Sequence, residues 1–298
     1  MACATPPEDT SSDPAQTSPV GQPAAGADAR GEDSGPQEHG ASRLFRIDPK
    51  LEPGLYVVST PIGNLRDVTL RALDILASVD VVCAEDTRVA GKLLSAFGLS
   101  VRLRPYHDHN GAQARPGLLK DLQGGARIAL ISDAGTPLIS DPGYKLVREA
   151  AALGVSVMAI PGASAPLAAL ASSGLPTDRF TFAGFPPPRS GARRRFLSEM
   201  KDARATLIFF EGPSRLVESL ADMASVFGAR QAAVARELTK KFEETRRGSL
   251  ADLAAHYQRE GPPRGEIVVL VGPPSEAPLT DEAALVAEIL AAGEVRPL

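Results

Sequence analysis

A regular alternation of apolar and amphipathic segments, beginning at Leu55, restricts this chain to few folds. Strand-like segments such as LYVVS, VDVVCAE and RIALIS alternate with helix-like segments such as DVTLRALDILASV and TRVAGKLLSAF. The strand-like segments are apolar at successive positions, so both of their faces are expected to be buried. Strands of this kind, alternating with helices, are typical of a parallel, doubly wound sheet.

The alternation continues beyond Pro161 and Gly162 but changes character, which predicts two α/β domains. We place an N-terminal α/β domain with a parallel sheet at residues 54–162 and a C-terminal α/β domain at residues 163–273. A ligand is expected in the cleft between them. Residues 1–42 are rich in Pro, Gly, Ala, Ser and acidic residues, which predicts a disordered tail. Residues 274–298 are predicted to form a hinge and a short helix.

Composition excludes several classes of protein. The net charge of −4 includes seven acidic residues and one arginine in the first 40 positions, so the remainder carries about +2, too little to indicate a nucleic-acid binder by bulk charge. Only Cys3 and Cys83 are present, so neither a disulfide framework nor a cysteine-rich metal site is expected. The sequence also shows no membrane-spanning run and no signal peptide, and we expect a cytoplasmic protein without a bound metal.

The loop from Ser132 to Gly143, SDAGTPLISDPG, is the strongest candidate for a ligand site. It follows the apolar segment IALI and precedes a helix-like segment, so it lies where a parallel strand leads into a helix. Ligands of open α/β sheets bind at this edge, where backbone N–H groups are available. A plain turn is the alternative, but it needs fewer Gly and Pro residues. The chain lacks the phosphate-binding motifs of ATP and dinucleotide sites.

Two basic clusters suggest a polyanionic partner. The first includes Arg193, Arg194 and Arg195, and the second includes Lys240, Lys241, Arg246 and Arg247. A solvated surface is the alternative for either cluster alone, whereas two clusters on one α/β body favour phosphate binding. Phe180, Phe182 and Phe185 are interpreted as strand core rather than as a platform for a flipped base.

Six motifs in order resemble one family. They are STPIGNLRDVTLRAL, AEDTR, SDAGTPLISDPG, PGASAPLAALASSGL, FFEGPSRL and ARELTKKFEE, and they extend over roughly residues 54–272. The chain resembles the 16S ribosomal RNA cytidine 2′-O-methyltransferases, which have the tetrapyrrole-methylase-like fold. The resemblance implies a homodimer that uses S-adenosylmethionine to methylate a cytidine ribose in small-subunit rRNA, either as naked RNA or in the assembled subunit.

The resemblance also implies the cofactor site, and the basic clusters supply the expected RNA contacts. The cofactor would lie in the interdomain cleft against Pro61, Gly63, Asp133, Ala134, Gly135, Thr136, Leu138, Ile139, Ala163, Ser164, Phe210, Ala235, Gly265 and Glu266. RNA phosphates would contact Arg193, Arg194, Arg195 and Lys241. Family members continue into a small basic helical module, of which residues 274–298 would be a remnant.

The reaction needs alignment more than chemical activation, because the sulfonium methyl is already reactive. Candidate catalytic groups are Glu85, Asp86 and Arg88 of AEDTR and Lys240 of ARELTK. Further candidates are His107, Asp108, Arg236 and Glu237. Helix capping is the alternative role for Glu85 and Asp86, and an ion pair is the alternative for Arg236 with Glu237.

Two other functions remain open from the sequence. A methyltransferase for a tetrapyrrole precursor would share the fold, although the polar loops fit its wide apolar substrate less well. A catalytically silent ribosome-assembly factor that binds RNA would keep the fold without turnover.

Overall fold

The structure is a computed structural model that describes residues 45–48 and 50–274. Residues 1–42 and 275–298, for which we predict a tail and a short helix, lie outside the described residues. Ten strands and eight α-helices are present in the described part. None of the helices there combines the length and apolar character needed to span a bilayer.

The first sheet is parallel and has five strands in the order β3-β2-β4-β1-β5. Its strands are β1 (Gly54–Val58), β2 (Val81–Ala84), β3 (Leu103–Pro105), β4 (Arg127–Ile131) and β5 (Val157–Ile160). The helices are α1 (Leu70–Ser78), α2 (Thr87–Ala96), α3 (Gly111–Gln123) and α4 (Tyr144–Ala152). Every residue of β1 and β2 is buried, as predicted from their continuous apolar character.

Helices cover both faces of the first sheet. Side chains of α1 and α2, such as Leu73 and Leu94, pack with Tyr56 and Val82 on one face. Those of α3 and α4 pack with Leu55 and Leu130 on the other face. Because the sheet is parallel, all five strands end at the same edge, where the loops that follow them meet.

The second sheet is mixed and has the order β6-β7-β10-β8-β9. Its strands are β6 (Phe180–Phe182), β7 (Thr206–Glu211), β8 (Gln231–Arg236), β9 (Glu244–Ser249) and β10 (Ile267–Val271), and only β6 and β7 pair in parallel. The helices are α5 (Ala165–Ser173), α6 (Ser190–Ser198), α7 (Leu216–Phe227) and α8 (Leu250–Glu260). Short 3-10 turns cover Leu65–Asp67 and Pro213–Arg215.

The two faces of the second sheet have different partners. Helices α6, α7 and α8 supply Leu197, Leu220 and Leu253 to one face. On the other face, α5 and Ile62 of the loop after β1 pack against Ile208 and Val268. The loop after a first-sheet strand thus contributes to the core of the second sheet. The predicted fold class, an α/β chain with two sheets, is confirmed, and the domain boundaries stay predictions.

Candidate functional site

The loops after β1 and β4 are joined to each other at the carboxyl edge of the first sheet. Thr60 and Gly135 exchange backbone hydrogen bonds of 2.9 and 3.1 Å. Gly135 has a φ of +83°, and a Cβ there would lie 3.3 Å from Cγ2 of Ile62. A left-handed backbone in so close a space favours glycine. The single glycine of SDAGTP is therefore explained by the pairing of the two loops.

The loop after β5 joins the same assembly through hydroxyl groups. Oγ1 of Thr136 lies 3.0 Å from Oγ of Ser59 and donates to the carbonyl of Ala163 at 3.3 Å. A Cβ at Gly162 would lie 2.8 Å from Cβ of Ser59, so the backbones approach closely. Three strand-end loops are held together in this way, which gives a rigid floor for a ligand.

An apolar cavity of about 340 Å³ lies between this floor and the second sheet. Its walls combine aliphatic and aromatic side chains with the Glu266 carboxylate, with Glu211, whose own carboxylate is buried against Arg215 and Ser219, and with backbone at Gly212 and Gly265. Beyond these two glutamates and two glycines, it is lined by Ile62, Ala134, Ala165, Phe185, Phe210, Pro213, Leu238, Ile267 and Val268. This volume and this apolar lining are typical of small-molecule sites.

A second cavity, of about 360 Å³, adjoins the apolar cavity, and we call it the polar cavity because its lining includes several charged groups. The two cavities share Ile62, Ala134 and Glu266 in their walls. The polar cavity extends over the loop after β1 to α2, and its charged lining groups include Asp133, Lys92 and Lys240. A molecule in one cavity and a molecule in the other would therefore meet at these three shared residues.

Lys240 is held at the junction of the two cavities. Its Nζ donates to Oε1 of Glu237 and to Oε2 of Glu266, both at 2.8 Å. Burial lowers the pKa of Lys240, but these two carboxylates outweigh burial and raise the pKa overall. A Cβ at Gly63 would lie 2.5 Å from Cγ of Lys240, so the glycine of STPIGN makes room for the lysine stem.

The AEDTR residues lie beside the polar cavity. Asp86 is the N-cap of α2 and accepts hydrogen bonds from the backbone and side chain of Arg88, which hold the pKa of Asp86 well below its usual range. Its backbone N–H donates to Oδ1 of Asp133 at 3.1 Å. Burial, followed by the nearby charge of Asp133, raises the pKa of Glu85. Arg88 is 87% exposed. The capping role that the sequence left open is thus observed for Asp86.

The predicted cofactor residues fall into two groups. Pro61, Gly63, Asp133, Ala134, Phe210, Gly265 and Glu266 line one or both cavities. Gly135, Thr136 and Ala163 instead build the floor through the contacts described above. Ser164 is the N-cap of α5, Ala235 is fully buried in β8, and Leu138 and Ile139 lie farther along their loop.

The sequence did not predict several residues that line the apolar cavity, notably Ile62, Phe185 and Leu238. The interpretation of the phenylalanines as strand core was wrong for two of them, because Phe180 and Phe185 are 46% and 55% exposed. Phe182 and Phe185 have their rings 4.9 and 5.3 Å from Phe210. Alternation along FTFAGF does not extend to Phe185, since β6 ends at Phe182. The position of Phe185 depends on the loop that follows.

The predicted RNA contacts differ in exposure. The Arg193 side chain is completely buried, donates to Oδ2 of Asp222 at 2.7 Å and lies 3.6 Å from Glu218. Arg194 is half exposed, and Arg195 is exposed on the same helix. Nζ of Lys241, which is also exposed, lies 5.6 Å from the centre of the Phe242 ring. In α6, the solvent-accessible positive charge therefore comes from Arg194 and Arg195.

Four non-glycine residues with positive φ lie in the two loops around the cavities. They are Leu138 (+74°) and Ser140 (+68°) after β4, and Glu237 (+51°) and Thr239 (+67°) after β8. Such backbone conformations are costly and cluster at ligand sites in many proteins. Their distribution agrees with the location of the cavities.

Comparison with known proteins identifies the family. Residues 54–254 match the family model described as Tetrapyrrole (Corrin/Porphyrin) Methylases. The chain belongs to this family. A protein from Mesorhizobium japonicum named ribosomal RNA small subunit methyltransferase I is 58% identical over 75% of this chain and 76% of its own length. A protein of the same name from Pseudomonas aeruginosa is 48% identical over 80% of this chain and 86% of its own length.

Two solved structures share the fold. A uroporphyrin-III-C-methyltransferase from Thermus thermophilus superposes with a TM-score of 0.51 at 22% identity, covering 74% of this chain and 94% of the other. A diphthine synthase superposes with a TM-score of 0.58 at 16% identity, covering 73% and 89%. At these identities the likeness concerns the fold. The high-identity relatives place the chain among the methyltransferases of this family.

Proposed function

We propose that this chain is an S-adenosylmethionine-dependent methyltransferase that modifies the ribose 2′-hydroxyl of a cytidine in small-subunit ribosomal RNA. Support for the rRNA substrate comes from the relatives named ribosomal RNA small subunit methyltransferase I. Support for the cytidine ribose comes from the six motifs of the sequence. The observation that carries the proposal is the pair of adjoining cavities with Ile62, Ala134 and Glu266 in common.

The residues around the apolar cavity fit this cofactor. The adenine ring needs an apolar slot, which Phe210, Leu238 and Val268 offer, and the ribose and amine need acceptors, which Glu266 and backbone carbonyls offer. A Cβ at Gly265 would overlap the Glu237 side chain, so this turn brings bare backbone to the cavity wall. When bound, S-adenosylmethionine supplies a methyl group activated by its positively charged sulfur.

The chain's own residues would orient the acceptor and exclude water. We assign the acceptor ribose to the polar cavity, which Thr60, Ser132 and Asp133 help to line. The hydrogen bonds from Lys240 to Glu237 and Glu266 lie at the junction of the cavities and hold the Glu266 carboxylate in place. Holding two reactants in line accounts for a large part of the rate, on the order of 7–11 kcal/mol of barrier.

We propose different roles for the four residues predicted to be catalytic. Lys240 lines the polar cavity and is the group most directly placed to contact the acceptor. Asp86 and Arg88 pair with each other, and the N–H of Asp86 holds Asp133, so we assign them to positioning. Glu85 does not line the polar cavity, but it lies close enough to Asp133, which does, for burial and that charge to raise its pKa, and we keep it as the candidate for receiving the hydroxyl proton.

The positioning role of Asp86 is testable with two variants. Asp86→Asn keeps an oxygen that accepts the helix-capping hydrogen bond, whereas Asp86→Ala removes it. We expect the asparagine variant to retain methyl transfer within a few-fold and the alanine variant to lose activity and melt at a lower temperature. A large loss of turnover in a folded Asp86→Asn protein would instead indicate a chemical role.

RNA phosphates are assigned to Arg194, Arg195 and Lys241. Arg193 is left out because its guanidinium is buried against Asp222. We also propose a homodimer, which sedimentation of the purified chain would test. Phosphate contacts position the strand without reading its sequence.

Label transfer tests the proposed function. The purified chain is incubated with methyl-labelled S-adenosylmethionine and small ribosomal subunits from cells that lack this gene. We expect label in rRNA, and we expect its loss when the acceptor ribose is 2′-deoxy. Cofactor binding without methyl transfer to any subunit or RNA would overturn the proposal that rRNA is the substrate. The absence of both cofactor binding and methyl transfer would favour a silent assembly factor.

A further inference from the structure

A third cavity, which we call the Tyr106 cavity, lies at the carboxyl ends of β3 and β4 beside the start of α4. Its volume is about 190 Å³, and its walls include Tyr106, His107, Asp108, Arg115, Asp141 and Tyr144. The proposed cofactor and acceptor sites use none of these residues. The volume is below the roughly 300 Å³ at which sites for drug-sized ligands begin, so the cavity suits one small planar group.

The Tyr106 cavity and the polar cavity lie on two sides of one loop. Ser132, Asp133 and Ala134, at the start of the loop after β4, line the polar cavity. Asp141, Pro142 and Gly143, at its end, line the Tyr106 cavity. Burial raises the pKa of the Asp141 carboxyl, and Glu85 and Asp133 are close enough for their charges to raise it further. A nucleotide with its ribose in the polar cavity therefore has the Tyr106 cavity within reach of its base.

The polar groups of the Tyr106 cavity include both donors and acceptors. Among the described residues, Nδ1 of His107 is buried without a hydrogen-bond partner. Asp108 and Asp141 are acceptors, and Arg115 and Lys145 are donors. The negative charges of these two carboxylates would repel a phosphate group in the cavity. No group of three or more His, Cys, Asp or Glu side chains in the described ranges is arranged to hold a metal ion. A neutral group with donors and acceptors, such as the edge of a nucleobase, matches this lining.

We propose that the Tyr106 cavity receives the flipped-out base of the acceptor nucleotide and that Asp141 selects cytosine by accepting a hydrogen bond from its exocyclic amine. This inference rests on the proposed function. Enzymes that do chemistry on a base commonly extrude its nucleotide and read the edge of the base, and the same extrusion here would place the ribose and the base in two separate cavities. Uracil has a carbonyl oxygen where cytosine has the amine, so an acceptor would face an acceptor. Tyr144, 64% exposed at the mouth, offers a ring for stacking.

The test compares cytidine with uridine at the acceptor position. Small ribosomal subunits reconstituted with either nucleotide are methylated at pH 7.5 by the wild-type chain and by Asp141→Asn. The wild type should favour cytidine by about tenfold or more. An asparagine amide donates to the uracil carbonyl, so Asp141→Asn should narrow this ratio by about tenfold. Asp178→Asn, which removes one charge from an exposed loop position, is the matched control and should keep the wild-type ratio.

A second variant covers the case in which Asp141→Asn does not fold. Tyr144→Ala changes an exposed side chain, so the protein should fold and bind S-adenosylmethionine as before. Its KM for the subunit should rise about fivefold or more, because a stacking face is lost.

Three results would overturn the inference while leaving the proposed function in place. They are equal wild-type rates on cytidine and uridine, an unchanged ratio in a folded Asp141→Asn protein, and an unchanged KM in Tyr144→Ala. If the wild-type chain methylates no subunit at all, the proposed function fails and this inference fails with it.

Discussion

The loop after β4 combines a partly buried carboxyl group with unfavourable backbone angles. Asp141 lies among acidic neighbours, and its pKa is raised to about 6, mainly because burial disfavours its charge. The positive φ angles of Leu138 and Ser140 lie in the same loop. Sequence reasoning identified this loop from its Gly, Pro and Asp content. It could not identify the buried environment of Asp141, because that depends on the chain segment after β3.

The raised pKa of Asp141 predicts a pH-dependent stability. The folded state holds the proton more tightly than the unfolded state, whose pKa is near 3.8, so this group's contribution falls as pH rises from about 4 to 6. The Asp141→Asn variant has no ionisable group at this position, so it does not lose this stability as the pH rises. We expect the variant's advantage to grow through this window and to reach on the order of 1 kcal/mol at pH 7, since partial solvation reduces the effect. Denaturant unfolding of both proteins at several pH values measures it, and a constant difference would contradict it.

Strands and helices could be predicted to the extent that their burial leaves a pattern in the sequence. The apolar strands β1, β2 and β10 are buried along their whole length, and β4 is buried at every position after Arg127, so the sequence predicts all four. The strand β9, ETRRGS, was missed because it is a charged edge strand. Its residues were interpreted as a basic cluster. Edge strands carry charge to prevent further pairing, so their composition resembles that of a loop.

The contact between α6 and α7 depends on one buried arginine. Arg193 of α6 donates to Asp222 of α7 and to the carbonyl of Pro188, and Ser190 also donates to Asp222. Arg193→Ala would leave the Asp222 carboxylate with fewer partners in a buried position. We expect a loss of about 3–5 kcal/mol in the free energy of unfolding.

Arg195→Ala is the control for this stability prediction, because Arg195 is exposed on the same helix. We expect it to change the free energy of unfolding by less than about 0.5 kcal/mol. Chemical denaturation of both variants gives the comparison. Equal stability of the two would show that the buried pair does not hold α6 on α7.

For the whole molecule, the site forms where loops of a parallel sheet meet the face of a mixed sheet. Several residues that the family motifs assign to the cofactor line the two cavities, and their role in binding stays a prediction. The motifs did not predict the aromatic wall at Phe185 or the position of Ile62 between both cavities. Those contacts depend on the relative placement of the two sheets, which no local pattern encodes.

The proposed RNA surface predicts a salt-dependent change in affinity. Arg195→Ala should weaken binding to small-subunit rRNA and reduce the slope of log K against log salt by about one. Arg259→Ala removes the same charge from an exposed position on α8 outside the cluster and should change the slope less. Filter binding over a range of salt concentrations measures both slopes. Identical slopes for the two variants would count against an RNA contact at Arg195.

Isothermal titration with S-adenosylmethionine tests the central claim, that the cavity between the two sheets binds this cofactor. The wild-type chain should bind, and Gly135→Val should bind at least about tenfold more weakly because its side chain would press on Ile62. Gly125→Val is the matched control, since Gly125 has a similar φ of +90° but open space around it. It should bind like the wild type. No binding by the wild type, or equal affinity for the two variants, would contradict the account.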